Sequence, residues 1–138
     1  MFLAPNLHAS EKGARLEQKI FNRILRGVTR HHEPYRVYFY GKTPPAGLRE
    51  NPKIHLSHTP ESAEVIIIGS TRFSRSLAAI KKPALTLDYD LLRRYPYAVG
   101  AYFWQKGRPN IVMIRSRLEK VGIVLPPDFD RFIDNTIW

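Results

Sequence analysis

The chain has no cysteine. Thiolate nucleophiles, CxxC redox chemistry, cysteine-bound zinc and iron–sulfur clusters are therefore excluded. The compartment stays open, because a domain of this size folds without disulfides in either location. Nowhere does the chain hold about 18 consecutive apolar residues, the least that a membrane-crossing helix needs. It has no HExxH, no G-x-S-x-G elbow, no GxGxxG and no GxxxxGK[ST]. These absences remove the commonest zinc-hydrolase, acyl-transfer, dinucleotide and nucleotide-phosphate signatures. Acids are scarce: 12 Asp and Glu face 22 Lys and Arg, a net charge of +10. That balance bears on partners rather than on fold, and favours an acidic protein, an anionic surface or a phosphate-bearing ligand.

What is present is globular. The 138 residues are 43% hydrophobic and 25% charged, which suits one domain with a core of its own. Residues 1–9 (MFLAPNLHA) carry no charged side chain. They fit either the residual tail of an export signal or a disordered cytoplasmic terminus, ahead of a single domain over 10–138. Ser10–Val28 reads as an amphipathic helix, with Ser10 as its cap and Glu11 in its first turn. Leu16, Ile20, Phe21, Ile24, Leu25 and Val28 share one half of the helical wheel. Arg15, Lys19, Arg23, Arg26 and Arg30 form a basic stripe beside it, with no acid among them.

Downstream, Tyr35–Tyr40 and Ala84–Leu87 read as strands, and Ile54–Leu56 as a short one. Lys42–Asn51 reads as loop or a short helix. Val65-Ile66-Ile67-Ile68 is the strongest strand signal: an unbroken β-branched run suits a strand buried on both faces of a parallel sheet. Ser70-Thr71 is expected to open a helix reaching Ile80, and Asp88 to cap a short one over Tyr89–Tyr95. Ala98–Gln105 and Asn110–Ile114 flank a turn at Lys106–Pro109, then comes a helix over Arg115–Val121 ending at Gly122. The alternation predicts an α/β protein, a three-layer Rossmann-like sandwich whose mostly parallel sheet ends in an antiparallel hairpin.

Candidate sites follow from this layout. Ligands of parallel α/β sheets bind beyond the carboxyl ends of strands. Ser70, Thr71 and Arg72 leave one such end, and Asp88 and Tyr89 the next, so a small anion is the ligand these residues suit. Capping and solvation account for the same residues without any ligand. His55 and His58 would point to opposite faces of a strand, and His31-His32 suit a helix end, so no metal and no cofactor is expected. The basic stripe suits a partner protein. It also allows nucleic acid, but aromatics for base stacking are missing from it.

The order of segments resembles the YfiR-like periplasmic proteins. The helix Ile20–Val28 leads into Arg36–Gly41 (RVYFYG), then Val65–Ser70 (VIIIGS), then the proline-led strand Lys82–Leu87 (KPALTL). A hairpin follows from Val99-Gly100 through Lys106-Gly107-Arg108 to Val112, and Arg115–Leu125 closes the set. The likeness spans Glu17 to Phe129. It implies a non-enzymatic regulatory or sensor protein, exported to the periplasm. Such a protein binds and modulates a membrane-bound signalling protein, a diguanylate cyclase or a histidine kinase. It also implies a homodimer made partly through the first helix, which assigns Leu16, Ile20 and Ile24, with Arg15, Lys19, Arg23 and Arg26, to a partner. The chain departs from the family in lacking disulfides and in carrying Asp88-Tyr89 where relatives are small and glycine-rich. A solute-binding module and a cytoplasmic nucleic-acid binder stand as the alternatives.

Overall fold

The computed structural model describes residues 3–29 and 33–137, with side chains from residue 13 onward. Helix α1 (Leu3–Thr29) enters strand β1 (Tyr35–Tyr40); α2 (Ala46–Arg49), β2 (Ile54–Leu56) and β3 (Val65–Ile68) follow. Next come α3 (Arg75–Ala78), β4 (Ala84–Thr86), the hairpin β5 (Ala98–Gln105) and β6 (Arg108–Ile114), α4 (Arg115–Lys120) and β7 (Ile133–Asp134). Three 3-10 turns, Pro60–Ser62, Tyr89–Arg93 and Pro127–Phe132, fill the connections.

One seven-stranded sheet runs β2-β1-β3-β4-β5-β6-β7. The first five strands are parallel, β6 returns antiparallel to β5, and β7 lies parallel to β6. The expected α/β architecture is thus present, with helical cover on both faces. Every residue of β3 is at most 1% exposed, as its apolar run demanded. Val65 and Ile67 face the layer made by Phe21, Ile24, Leu25 and Val28 of α1 and by Leu48 of α2. Ile66 and Ile68 face Leu77, Leu91, Leu92 and Tyr95.

Three differences from expectation bear on the fold or on a candidate site. Helix α1 starts at Leu3, so Ser10 lies inside its span and Glu11 is not in its first turn. Nothing between Ala9 and Glu11 breaks a helix, and Pro5 falls in the first turn, where no amide donor is needed. The hairpin turn is Lys106-Gly107 alone, with Gln105 paired to Arg108. Their φ values of 53° and 73° make the left-handed two-residue turn that matches strand twist, which glycine adopts freely. Pro109 is therefore a strand residue opposite Trp104, on a stretch of β6 that β7 does not flank. The third difference, at α3, alters a candidate site. Arg30, His31 and His32 lie outside the described residues.

Candidate binding groove

The register places Ile68 beside Thr86. Ser70–Arg72 and Asp88-Tyr89 therefore leave one edge of the sheet, as the sequence suggested. Asp88 caps its 3-10 turn by accepting from the Asp90 amide at 3.0 Å. Tyr89 sets its ring edge-on to Phe103, centroids 6.3 Å apart. No helix opens at Ser70-Thr71, however. Ser70 Oγ accepts from the Arg72 amide at 3.1 Å, a local turn, and Ser74 is the residue that caps α3, accepting from Leu77 N at 3.3 Å. The Ser74 amide donates to the Tyr95 hydroxyl at 3.0 Å, and Phe73 leans on the Tyr95 ring. A tertiary partner thus sets where the helix begins, and no row of free helix amides stands beside Ser70 to cradle an anion.

The strand order also moves the crevice. It reverses between β1 and β3, so the switch point lies between Lys42-Thr43 and Ser70–Arg72, with Asp88 a strand farther off. A Cβ on Gly69 would sit 2.6 Å from Phe39 Cζ, and one on Gly41 2.7 Å from Phe39 Cε2. Both glycines are explained by the phenyl ring packed across them, without a bound phosphate.

The residues assigned to a partner on α1 divide. Ile24 is 1% exposed and belongs to the core, and Ile20 is half-buried against the same cluster. Ile24 is not free for a second copy, which corrects that part of the expectation; Ile20 keeps a partly exposed edge, and Leu16 is exposed at 42%. Pressing Phe21, Ile24, Leu25 and Val28 onto the sheet turns Arg15, Lys19, Arg23 and Arg26 outward, and all four are exposed.

Three of these cations, Lys19, Arg23 and Arg26, border an open groove of about 800 Å³. Lys19, Asn22, Arg23 and Arg26 form one wall. Glu33, Tyr35 and Lys53, at the amino ends of β1 and β2, form its floor, and Val124, Pro126, Asp128 and Phe129 the far wall. Arg23 pairs with Asp128, and its guanidinium lies 5.7 Å from the Phe129 ring centroid. Among the described residues, Lys19, Arg26 and Lys53 have no carboxylate within ion-pair distance. Burial, with the Glu33 charge adding to it, pushes the Tyr35 phenol above its ordinary value, so it stays neutral at physiological pH. A smaller apolar cavity of about 210 Å³ adjoins, lined by Ile20, Ile24, Ile111 and Phe132, and it shares Arg23 and Phe129 with the groove.

Sequence reasoning found the stripe but not the opposite wall. Nor did it find the polar hub that holds α1 in place. Glu17 Oε1 accepts from the Gly47 amide at 3.0 Å, and Oε2 from the Tyr102 hydroxyl at 3.1 Å and the Trp104 indole at 3.2 Å. A Cβ on Gly47 would meet the Glu17 backbone at 2.9 Å, so only glycine lets α2 approach α1 this closely. Asn51, 4% exposed, donates to Asn22 Oδ1 at 2.8 Å and to the Gly47 carbonyl at 3.0 Å.

Comparison with protein-family models, curated proteins and solved structures finds no match. Among the described residues, no group of three or more His, Asp or Glu side chains is placed to hold a metal ion, and no helix is long and apolar enough to cross a membrane.

Proposed function

We propose that this protein is a non-catalytic periplasmic regulator of the YfiR-like kind, one that binds and modulates a membrane-bound diguanylate cyclase or histidine kinase through the groove beside α1. The observation that carries this reading is the groove itself. Four cations line it against two carboxylates. Such a field draws an acidic partner and fixes its orientation. The order of elements, from the long helix through the glycine-ended strands to the hairpin, is what favours a signalling partner over another acidic protein.

The test is a photo-crosslinking residue in place of Lys19, used in the native host with the captured protein identified by mass spectrometry. A membrane protein bearing a cyclase or kinase output module is expected. Recovery of soluble enzymes or nucleic acid alone would overturn the reading.

A further inference from the structure

We propose that the groove takes an acidic segment carrying an aromatic side chain, and that the chain's own Asp128-Phe129 step shows the mode of recognition; that this segment belongs to a signalling partner rests on the reading above. The Pro126–Phe132 stretch lies along α1 as a built-in example. Asp128 places its carboxylate on the Arg23 guanidinium, while the next residue, Phe129, slides its ring beneath the same guanidinium and is 2% exposed. Gly27 lies against the same ring and against Leu125: a Cβ there would come 3.0 Å from Leu125 Cδ2 and 3.4 Å from Phe129 Cε2. One cation and the helix flank beside it thus take a carboxylate and a ring in consecutive positions.

The same elements recur along the groove. Lys19, Arg26 and Lys53 supply cations without carboxylate partners among the described residues. The adjoining cavity of about 210 Å³, between Ile20 and Ile111, has room for one aromatic side chain. A nucleic acid fits less well. The aromatics that line the groove, Tyr35 and Phe129, are 2% exposed and offer no face for base stacking. Glu33 in the floor and Asp128 in the far wall also oppose a continuous phosphate backbone. A membrane surface is flat, and the cations here line a recess.

The experiment measures fluorescence anisotropy of a labelled peptide built from Asp-Asp-Phe-Asp blocks on the full chain. The comparison probes are the peptide with Phe replaced by Ser, a single-stranded oligonucleotide and phosphatidylglycerol vesicles. The peptide is expected to bind, and to lose about tenfold or more in affinity on Phe-to-Ser replacement and again in the double variant Arg26→Glu, Lys53→Glu. Both substituted residues are exposed, and an unchanged melting temperature confirms that the variant is folded. Asp128→Asn is expected to tighten binding several-fold, because Arg23 is then released to the incoming carboxylate. Tighter binding of oligonucleotide or vesicles than of peptide, or peptide affinity unmoved by the double charge reversal, overturns the proposal. The two readings also fail separately. If crosslinking recovers a membrane cyclase or kinase whose complex survives the charge reversal, this inference falls and the regulatory role stands. If the peptide binds as expected and no such protein is recovered, the recognition chemistry stands and the role falls.

Discussion

One face of the sheet is covered by α1, 27 residues long, which lays Phe21, Ile24, Leu25 and Val28 on it, with α2 beside. The other is covered by one turn of α3 and the 3-10 turn Tyr89–Arg93. Large side chains interdigitate on the first face; Phe21 meets Tyr102 edge-on with centroids 4.9 Å apart. The second face is thinner, and single polar side chains hold it. Arg117 spreads its guanidinium over the carbonyls of Leu92, Tyr95 and Ala98 at 3.0, 2.8 and 2.9 Å, and burial lowers its pKa below the ordinary arginine value. Lys82 gathers the carbonyls of Pro60, Glu61 and Ala63. A thick layer tolerates an exposed, charged outer surface, because its stability comes from burial beneath it. The cationic groove accordingly lies on the thick side, where cations can accumulate on α1 without weakening the core.

The largest expected effect tests that division directly. Phe21→Ala removes a fully buried ring and should cost about 3–5 kcal/mol in urea denaturation, with one cooperative transition retained. Leu77→Ala, on the thin face and 8% exposed, should cost about 2 kcal/mol. Equal losses would mean that the two layers carry equal weight.

Next is Arg117→Met, which keeps most of the side-chain volume and deletes the donors. Three carbonyls lose their charged partner, so a loss of about 2–4 kcal/mol is expected. Arg117→Lys should fall between, since one ammonium cannot reproduce the planar fork. A neutral Arg117→Met would show that water satisfies those carbonyls and that the thin face rests on its leucines alone.

The same division explains what could be read from the chain. Val65–Ile68, Tyr35–Tyr40 and the α1 stripe were legible because period and burial are local properties of consecutive residues. The start of α3 was not. Ser70-Thr71 and Ser74 are equally good caps by composition, and the choice falls to a hydroxyl on Tyr95, 21 residues away. The groove was half legible for a related reason. Its cations follow from helical spacing, but Asp128 reaches Arg23 across 105 residues, and no spacing rule connects them. Spacing identifies the apolar face of α1 but not what covers it: the family resemblance points to a second copy, whereas most of that face packs on the chain's own sheet.

A third, smaller effect concerns the clasp between the thick layer and the hairpin. Glu17→Gln leaves one acceptor oxygen where Gly47, Tyr102 and Trp104 use two, and should cost about 1–3 kcal/mol. The clasp also carries a pH signature. Desolvation, and then the Glu17 charge, push the Tyr102 phenol well above its ordinary value of 10.0. The folded state therefore keeps a proton that the unfolded chain releases. The contribution is complete below about pH 10 and declines as pH rises through the folded value. Denaturation midpoints should fall between pH 9 and pH 11 (values that bracket the unperturbed tyrosine pKa of about 10), and Tyr102→Phe should flatten that fall. Tyr35, raised by burial, supplies part of what remains. A slope indifferent to Tyr102→Phe would place the alkaline sensitivity elsewhere.

The smallest effect probes the thin face at its weakest join. Ser74→Ala removes the cap of a one-turn helix, and the usual loss for such a cap is about 1 kcal/mol. The helix is too short to persist by itself. Its remaining anchors are Leu77 in the core and the bond from the Ser74 amide to Tyr95, which alanine preserves. The loss should therefore appear as faster amide exchange confined to Arg75–Ala79, with β3 and α1 unchanged. Faster exchange spreading into Val65–Ile68 would mean that α3 and the strand beneath open as one unit, and that the thin layer contributes to global stability as much as α1 does.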